Sequence, residues 1–205
     1  NLDGTGNITS IELDTAVSPL NNEVINFYDD RDCDSGSYNF NHMNMPTTTN
    51  CTRSEVDIRR VIGHELFHGV QFSYISSNWS GWGRTPIEGT ARMMEDQVYT
   101  DLDNHTRYRG QVTNYLNNPN RDWFEVSYSA ALGWKYLAEQ YGNTATEPGI
   151  GVDFILRFWQ NAEDNDWTKS TPDTLEKTIK IVSGSNKIST KWIANFYGNI
   201  IPAGI

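Results

Sequence analysis

The chain has 205 residues and a formal charge of −10, from 16 Lys+Arg against 26 Asp+Glu; it is only 37% apolar, with a mean hydropathy of −0.60. No apolar run approaches the roughly 20 residues a membrane-spanning helix needs, and no Lys/Arg cluster is present to neutralise phosphates, which argues against a membrane span, an anionic membrane surface or nucleic acid as partner. Seven Trp, ten Tyr and eight Phe supply enough aromatic surface for a packed core and argue against disorder.

The first 53 residues are rich in Asn, Asp, Ser and Thr. Asn1 to Glu12 has the spacing of a twelve-residue EF-hand loop, with oxygen side chains at Asn1, Asp3, Thr5, Thr9 and Glu12, Gly6 at the tight turn and Ile8 after it. Asn1, Asp3, Thr5 and Glu12 are the candidate calcium ligands, and a polar, glycine-containing surface turn accounts for the same residues. Val24–Tyr28 and the alternating Tyr38–Met43 predict two short strands, joined by an acidic, turn-rich connection from Asp29 to Gly36. Cys33 and Cys51 form an isolated pair without CxxC spacing, which reads as a disulfide in preference to a metal site or two buried thiols. The chain opens on Asn1 and shows no basic head and apolar centre of a signal peptide, so a processed piece of a longer secreted chain is expected. Four Asn-x-Ser/Thr sequons, at Asn7, Asn50, Asn78 and Asn104, matter only in a eukaryotic secretory setting.

From residue 54 the pattern turns helical. Ser54-Glu55-Val56-Asp57 has the form of a capping box, and Val56, Val61, Ile62, Leu66, Phe67 and Val70 follow at helical spacing, predicting a helix over 54–77 that Ser80-Gly81-Trp82-Gly83 stops. Thr85-Pro86, as cap and first helical residue, opens a second helix to about 100 carrying Ile87, Ala91, Met93, Met94 and Val98. Residues 101–126 are irregular. Further helices are expected at 127–141, ended by Gly142, then 151–162, 172–183 and 188–199. With no internal repeat and no linker, a single domain over 1–205 is expected, β- and loop-rich over 1–53 and helical over 54–205. The fold class that follows is α+β, mostly α-helical.

His64-Glu65-Leu66-Phe67-His68 is an HExxH motif inside the best-patterned helix. Four residues advance a helix by slightly more than one turn, so both imidazoles project from one face and suit one cation. Glu65, rotated about 100° from His64, stays near that cation without pointing at it, which suits a base that takes a proton from the attacking water. Chance supplies this pattern in roughly 1% or fewer of chains this long. Gly63 and Gly69, costly in a mid-helix by about 1 kcal/mol each, suggest close approach of another backbone or of substrate. A catalytic zinc takes three protein ligands and keeps one open position. The HExxHxxGxxH extension fails, because Gln71 and Tyr74 stand where Gly and His are required. His42 and His105 are the other histidines. Glu88, at the start of the next helix, is the better third ligand, although it also fits as the acidic partner of Thr85 in a capping box. Glu95 and Asp96 are fallback ligands, or acceptors that hold the histidine N–H groups.

An HExxH helix with a downstream Glu on the next helix resembles the gluzincin metallopeptidases, the thermolysin-like group. The wider runs Gly63-His64-Glu65-Leu66-Phe67-His68-Gly69-Val70-Gln71-Phe72 and Pro86-Ile87-Glu88-Gly89-Thr90-Ala91-Arg92-Met93-Met94-Glu95-Asp96 look like a set of secreted bacterial metalloproteases with an HExxHxxQ helix followed by an EGTA-x-x-x-ED helix. The stretches Tyr128–Leu137, Gln140–Gly142 and Trp192–Tyr197 also look like that set, so the resemblance covers about 60–205. It implies a zincin-like catalytic domain with a small N-terminal β region. It also implies zinc on His64, His68 and Glu88, with Glu65 as general base. Arg92 stands where the thermolysin pattern has an Asp that orients a ligand histidine, so that role passes to Glu95 or Asp96 or is absent. The oxyanion of the intermediate needs a donor, for which Tyr128 is the first choice and His105 the second; Tyr128 also reads as an ordinary core tyrosine.

The leading functional expectation is a secreted, extracellular zinc endopeptidase, monomeric, acting on protein or peptide substrates. Zn2+ is the expected cofactor and Ca2+ a second candidate. The alternative is a metal-stabilised extracellular binding module, an adhesin or carbohydrate-binding protein, whose Trp and Tyr residues form a ligand platform.

Overall fold

A computed structural model of the chain describes the backbone of residues 10–12, 24–28, 37–39 and 42–46, together with residues 55–75, 82–98, 109–110, 113–114, 116–118, 121, 123–143, 149–163 and 171–184. The chain divides into two compact units, Asn1–Ser73 and Tyr74–Ile205. The division falls inside the first helix, not at the compositional change near residue 53.

The first unit contains four short strands, β1 (Ser10–Glu12), β2 (Val24–Tyr28), β3 (Ser37–Asn39) and β4 (His42–Pro46), in the order β1-β2-β4-β3. β1 pairs antiparallel with β2, β2 runs parallel to β4 with Val24 opposite His42, and β3 pairs antiparallel with β4. The stretch expected to be one strand over 38–43 is thus two, broken between Asn39 and His42. Helix α1 (Glu55–Ile75) follows close to its expected bounds. Its buried stripe runs Val61, His64, His68, Gln71, Ile75, alternating steps of three and four, as a helix with one covered face should. The middle of that stripe is polar, where an ordinary core helix would carry Leu or Ile.

The second unit is a helical stack. α2 (Arg84–Val98) leads to two 3-10 turns, Trp123–Glu125 and Tyr128–Ala130, and then to α3 (Ala131–Tyr141), α4 (Val152–Glu163) and α5 (Thr171–Ser183). α2 packs on α3 and on the Tyr128–Ala130 turn, α3 on α4, and α4 on α5. Trp134, Phe154, Phe158, Trp159, Met93, Leu137, Ile155, Leu175 and Ile179 are the large, fully buried side chains of its core. Burial of a side chain of this kind stabilises by about 1.5–3 kcal/mol before the entropy cost of ordering it. Trp134 meets Trp123 and Phe158 at ring-centroid distances of 5.1 and 4.8 Å. Among the described residues no helix is long and apolar enough to cross a membrane.

Two connections are set by local chemistry. The Thr85 hydroxyl lies against the carbonyls of Trp123, Phe124 and Val126, and Trp134 Nε1 donates to Thr85 O at 3.0 Å, so the start of α2 is fastened to the 3-10 turn and to α3. Between α3 and α4, the Asp153 carboxylate accepts from Asn143 N at 2.9 and 3.0 Å and from Asn143 Nδ2 at 3.1 Å. A Cβ on Gly142 would stand 2.4 Å from Gly151 Cα, and Gly151 itself has φ +65°, so both positions require glycine.

The expected α+β, zincin-like class is corrected by this architecture. Among the residues whose side chains are described, every regular element is helical and no strand occurs. The reason is the extent of the two periodicities. Period-two alternation covers only short stretches before residue 47, whereas covered positions recur at steps of three and four in α1, α4 and α5, and α2 is covered almost all round. The expected helix at 188–199 lies outside the described residues, as do Cys33 and Cys51.

Candidate metal centre

His64, Glu65 and His68 each offer a ligand atom, and these atoms all lie within 4.8 Å of one another. All three side chains are buried: His64 is 5%, Glu65 6% and His68 7% exposed. The two imidazoles stand edge to face, centroids 4.6 Å apart and planes at 88°. Residues whose donor atoms gather this closely are the ones that would hold a cation here. The donor types fit as well. Imidazole nitrogens suit zinc, and a carboxylate beside them suits proton transfer.

Gln71 is fully buried one step further along the same stripe, and His68 Nδ1 lies 2.7 Å from its Oε1. An amide oxygen only accepts, so Nδ1 carries the proton and donates.

A second polar cluster lies in the helical unit around Glu88. The Tyr128 hydroxyl donates to the Glu88 carboxylate, and Arg84 Nη2 lies 3.8 Å from Glu88 Oε1. Burial, reinforced by the Glu88 charge and hydrogen bond, pushes the Tyr128 phenol up to about 12. The Arg92 guanidinium sits 4.9 Å from the Tyr128 ring centroid, a cation–π arrangement, and its Nη1 donates to Glu95 Oε2 at 2.7 Å. Lys135 Nζ pairs with Asp96 Oδ2, which also accepts from Gln97 Nε2 at 3.1 Å.

The structure therefore brings the candidate residues together in two sets, each within its own unit: His64, Glu65 and His68 in the first, Glu88 and Tyr128 in the second. The capping-box reading of Thr85 and Glu88 is corrected, since the Thr85 hydroxyl turns to the carbonyls of 123–126 and Glu88 to Arg84 and Tyr128. Glu95 and Asp96 are occupied by Arg92 and Lys135. Asn1, Asp3, Thr5 and His105 lie outside the described residues, while Glu12 closes β1 and His42 opens β4. Sequence reasoning missed the parts played by Gln71 and Arg92. Both were legible as i,i+3 partners, of His68 and Glu95 respectively.

No family model, no curated protein and no solved structure matches the chain.

Proposed function

We propose that the protein is a secreted zinc-dependent endopeptidase that hydrolyses peptide bonds of protein or peptide substrates. The observation that supports this best is the convergence of buried His64, Glu65 and His68 donor atoms within 4.8 Å on one helix. Two imidazoles and a carboxylate gathered on one buried helix face are the donor types that a cation and a water-activating base require.

The resemblance in sequence puts Glu88 forward as the third ligand. Zinc so held would polarise the scissile carbonyl and make water acidic enough to attack near neutral pH. Glu65 takes the proton of the attacking water and passes it to the leaving amine. The resemblance puts Tyr128 forward as the oxyanion donor, which would require its hydroxyl to turn from the Glu88 carboxylate to the substrate.

The test joins metal content to digestion of casein. Stoichiometric zinc and digestion that is abolished by a chelator and restored by zinc are expected. Glu65→Gln should lower digestion at least about 10²-fold with zinc content unchanged, the loss typical of a missing general base. A wild-type protein that takes up no zinc, or a Glu65→Gln variant that digests casein normally, would overturn the reading.

A further inference from the structure

The polar centre of the α1 stripe contains one residue that the peptidase chemistry does not use. Gln71 has no exposed surface, and its Oε1 stands 2.7 Å from His68 Nδ1. Leu at this position would extend the apolar end of the stripe at Ile75. A buried carboxamide costs about 1–3 kcal/mol unless its polar atoms are paired. Its presence therefore calls for a job tied to its hydrogen bond.

The chemistry of imidazole supplies that job. A neutral ring has one nitrogen that donates and one that accepts, and only the accepting nitrogen can bind a metal. In water the form with the proton on Nε2 is favoured, and for His68 that form would block the nitrogen not engaged by Gln71. The Gln71 oxygen takes a proton from Nδ1 alone, which reverses the preference and also fixes the ring plane. The i,i+3 spacing makes this a property of the helix itself, so it does not depend on how the two units are arranged.

We propose that Gln71 is a positioning residue that locks His68 in the Nδ1–H form with Nε2 presented to a divalent cation. The proposal rests on the metal-centre reading given above, and its test is chosen so that the two can fail separately.

The first measurement is nitrogen-15 NMR of the histidine rings in metal-free protein. His68 should be an Nδ1–H tautomer in the wild type and in Gln71→Glu, whose carboxylate also accepts, and should shift toward Nε2–H in Gln71→Leu. The second is zinc affinity by competition with a chromophoric chelator. Gln71→Leu should bind zinc about 10–100-fold more weakly, the usual cost of losing a partner behind a ligand, and Gln71→Glu should restore wild-type affinity or better. A wild-type His68 found as Nε2–H overturns the proposal, as does a folded Gln71→Leu that binds zinc as tightly as wild type. Should the leucine variant fail to fold, the wild-type tautomer and the glutamate variant still decide. A wild type that binds no zinc defeats the peptidase reading, and the tautomer measurement then decides alone whether Gln71 holds His68.

Discussion

At the scale of single residues, Tyr128 is the group among the described residues whose protonation the fold alters most plainly. Burial first, and then Glu88, raise its pKa from 10.0 to about 12, so the folded state favours the neutral phenol. Linkage fixes the sign. The contribution is complete below pH 10 and is lost as pH rises through the folded-state value of about 12. In urea titrations the stability advantage of wild type over Tyr128→Phe should therefore shrink between these two pH values; a constant difference would show that the hydroxyl carries no such linkage. The sequence could point to Tyr128 only through resemblance, as an oxyanion donor. Its bond to Glu88 joins residues far apart in the chain, and no local spacing encodes that. His64, Glu65 and His68 were legible for the opposite reason, since one helical turn converts their spacing directly into proximity.

At the scale of elements, most helices could be read from their periodicity. The exceptions are instructive. Thr85-Pro86 looked like a cap followed by a first turn, yet α2 begins at Arg84, and the threonine hydroxyl serves a tertiary contact with the 123–126 carbonyls. Glycine supplies a second case. Gly89 lies mid-helix in α2, and a Cβ there would lie 2.8 Å from Trp134 Cδ1 and 2.9 Å from Ala130 Cβ. At Gly133 a Cβ would lie 2.4 Å from Trp123 Nε1. In an open helix Gly→Ala gains about 1 kcal/mol. Here overpacking of about 1–3 kcal/mol opposes it. Gly89→Ala and Gly133→Ala should both lower the denaturation midpoint, Gly133→Ala the more, and a rise in either midpoint would show that α2 and α3 are not packed this closely.

At the scale of the whole molecule, a metal that binds only the folded chain adds stability by mass action. With free zinc at 100 times its Kd the gain is about 2.7 kcal/mol. Thermal denaturation with and without zinc should show that increase, and His64→Ala should remove most of it; equal melting of wild type with zinc and with EDTA would contradict a native-state site. The −10 charge acts in the other direction, since self-repulsion weakens the compact state and salt relieves it. Composition carried the exclusion of membrane-crossing helices but not the architecture. Short alternating stretches look the same whether they build a major layer or a small sheet, and that is why the α+β expectation overstated them. The seam between Ser73 and Tyr74 was equally hidden, because it lies within an unbroken helical pattern.

The clasp of Asp153 on Asn143 has a consequence for how this protein tolerates change. With Gly142 and Gly151 in near contact and the carboxylate closing the gap, α3 and α4 are joined at the neck of their connection, whatever lies between. Lengthening a connection whose two ends are already fastened costs only about 0.6 kcal/mol per doubling. Insertions between Asn143 and Gly149 should therefore leave the melting of the helical unit nearly unchanged, because the fastened neck, and not the length of the connection, holds α3 to α4.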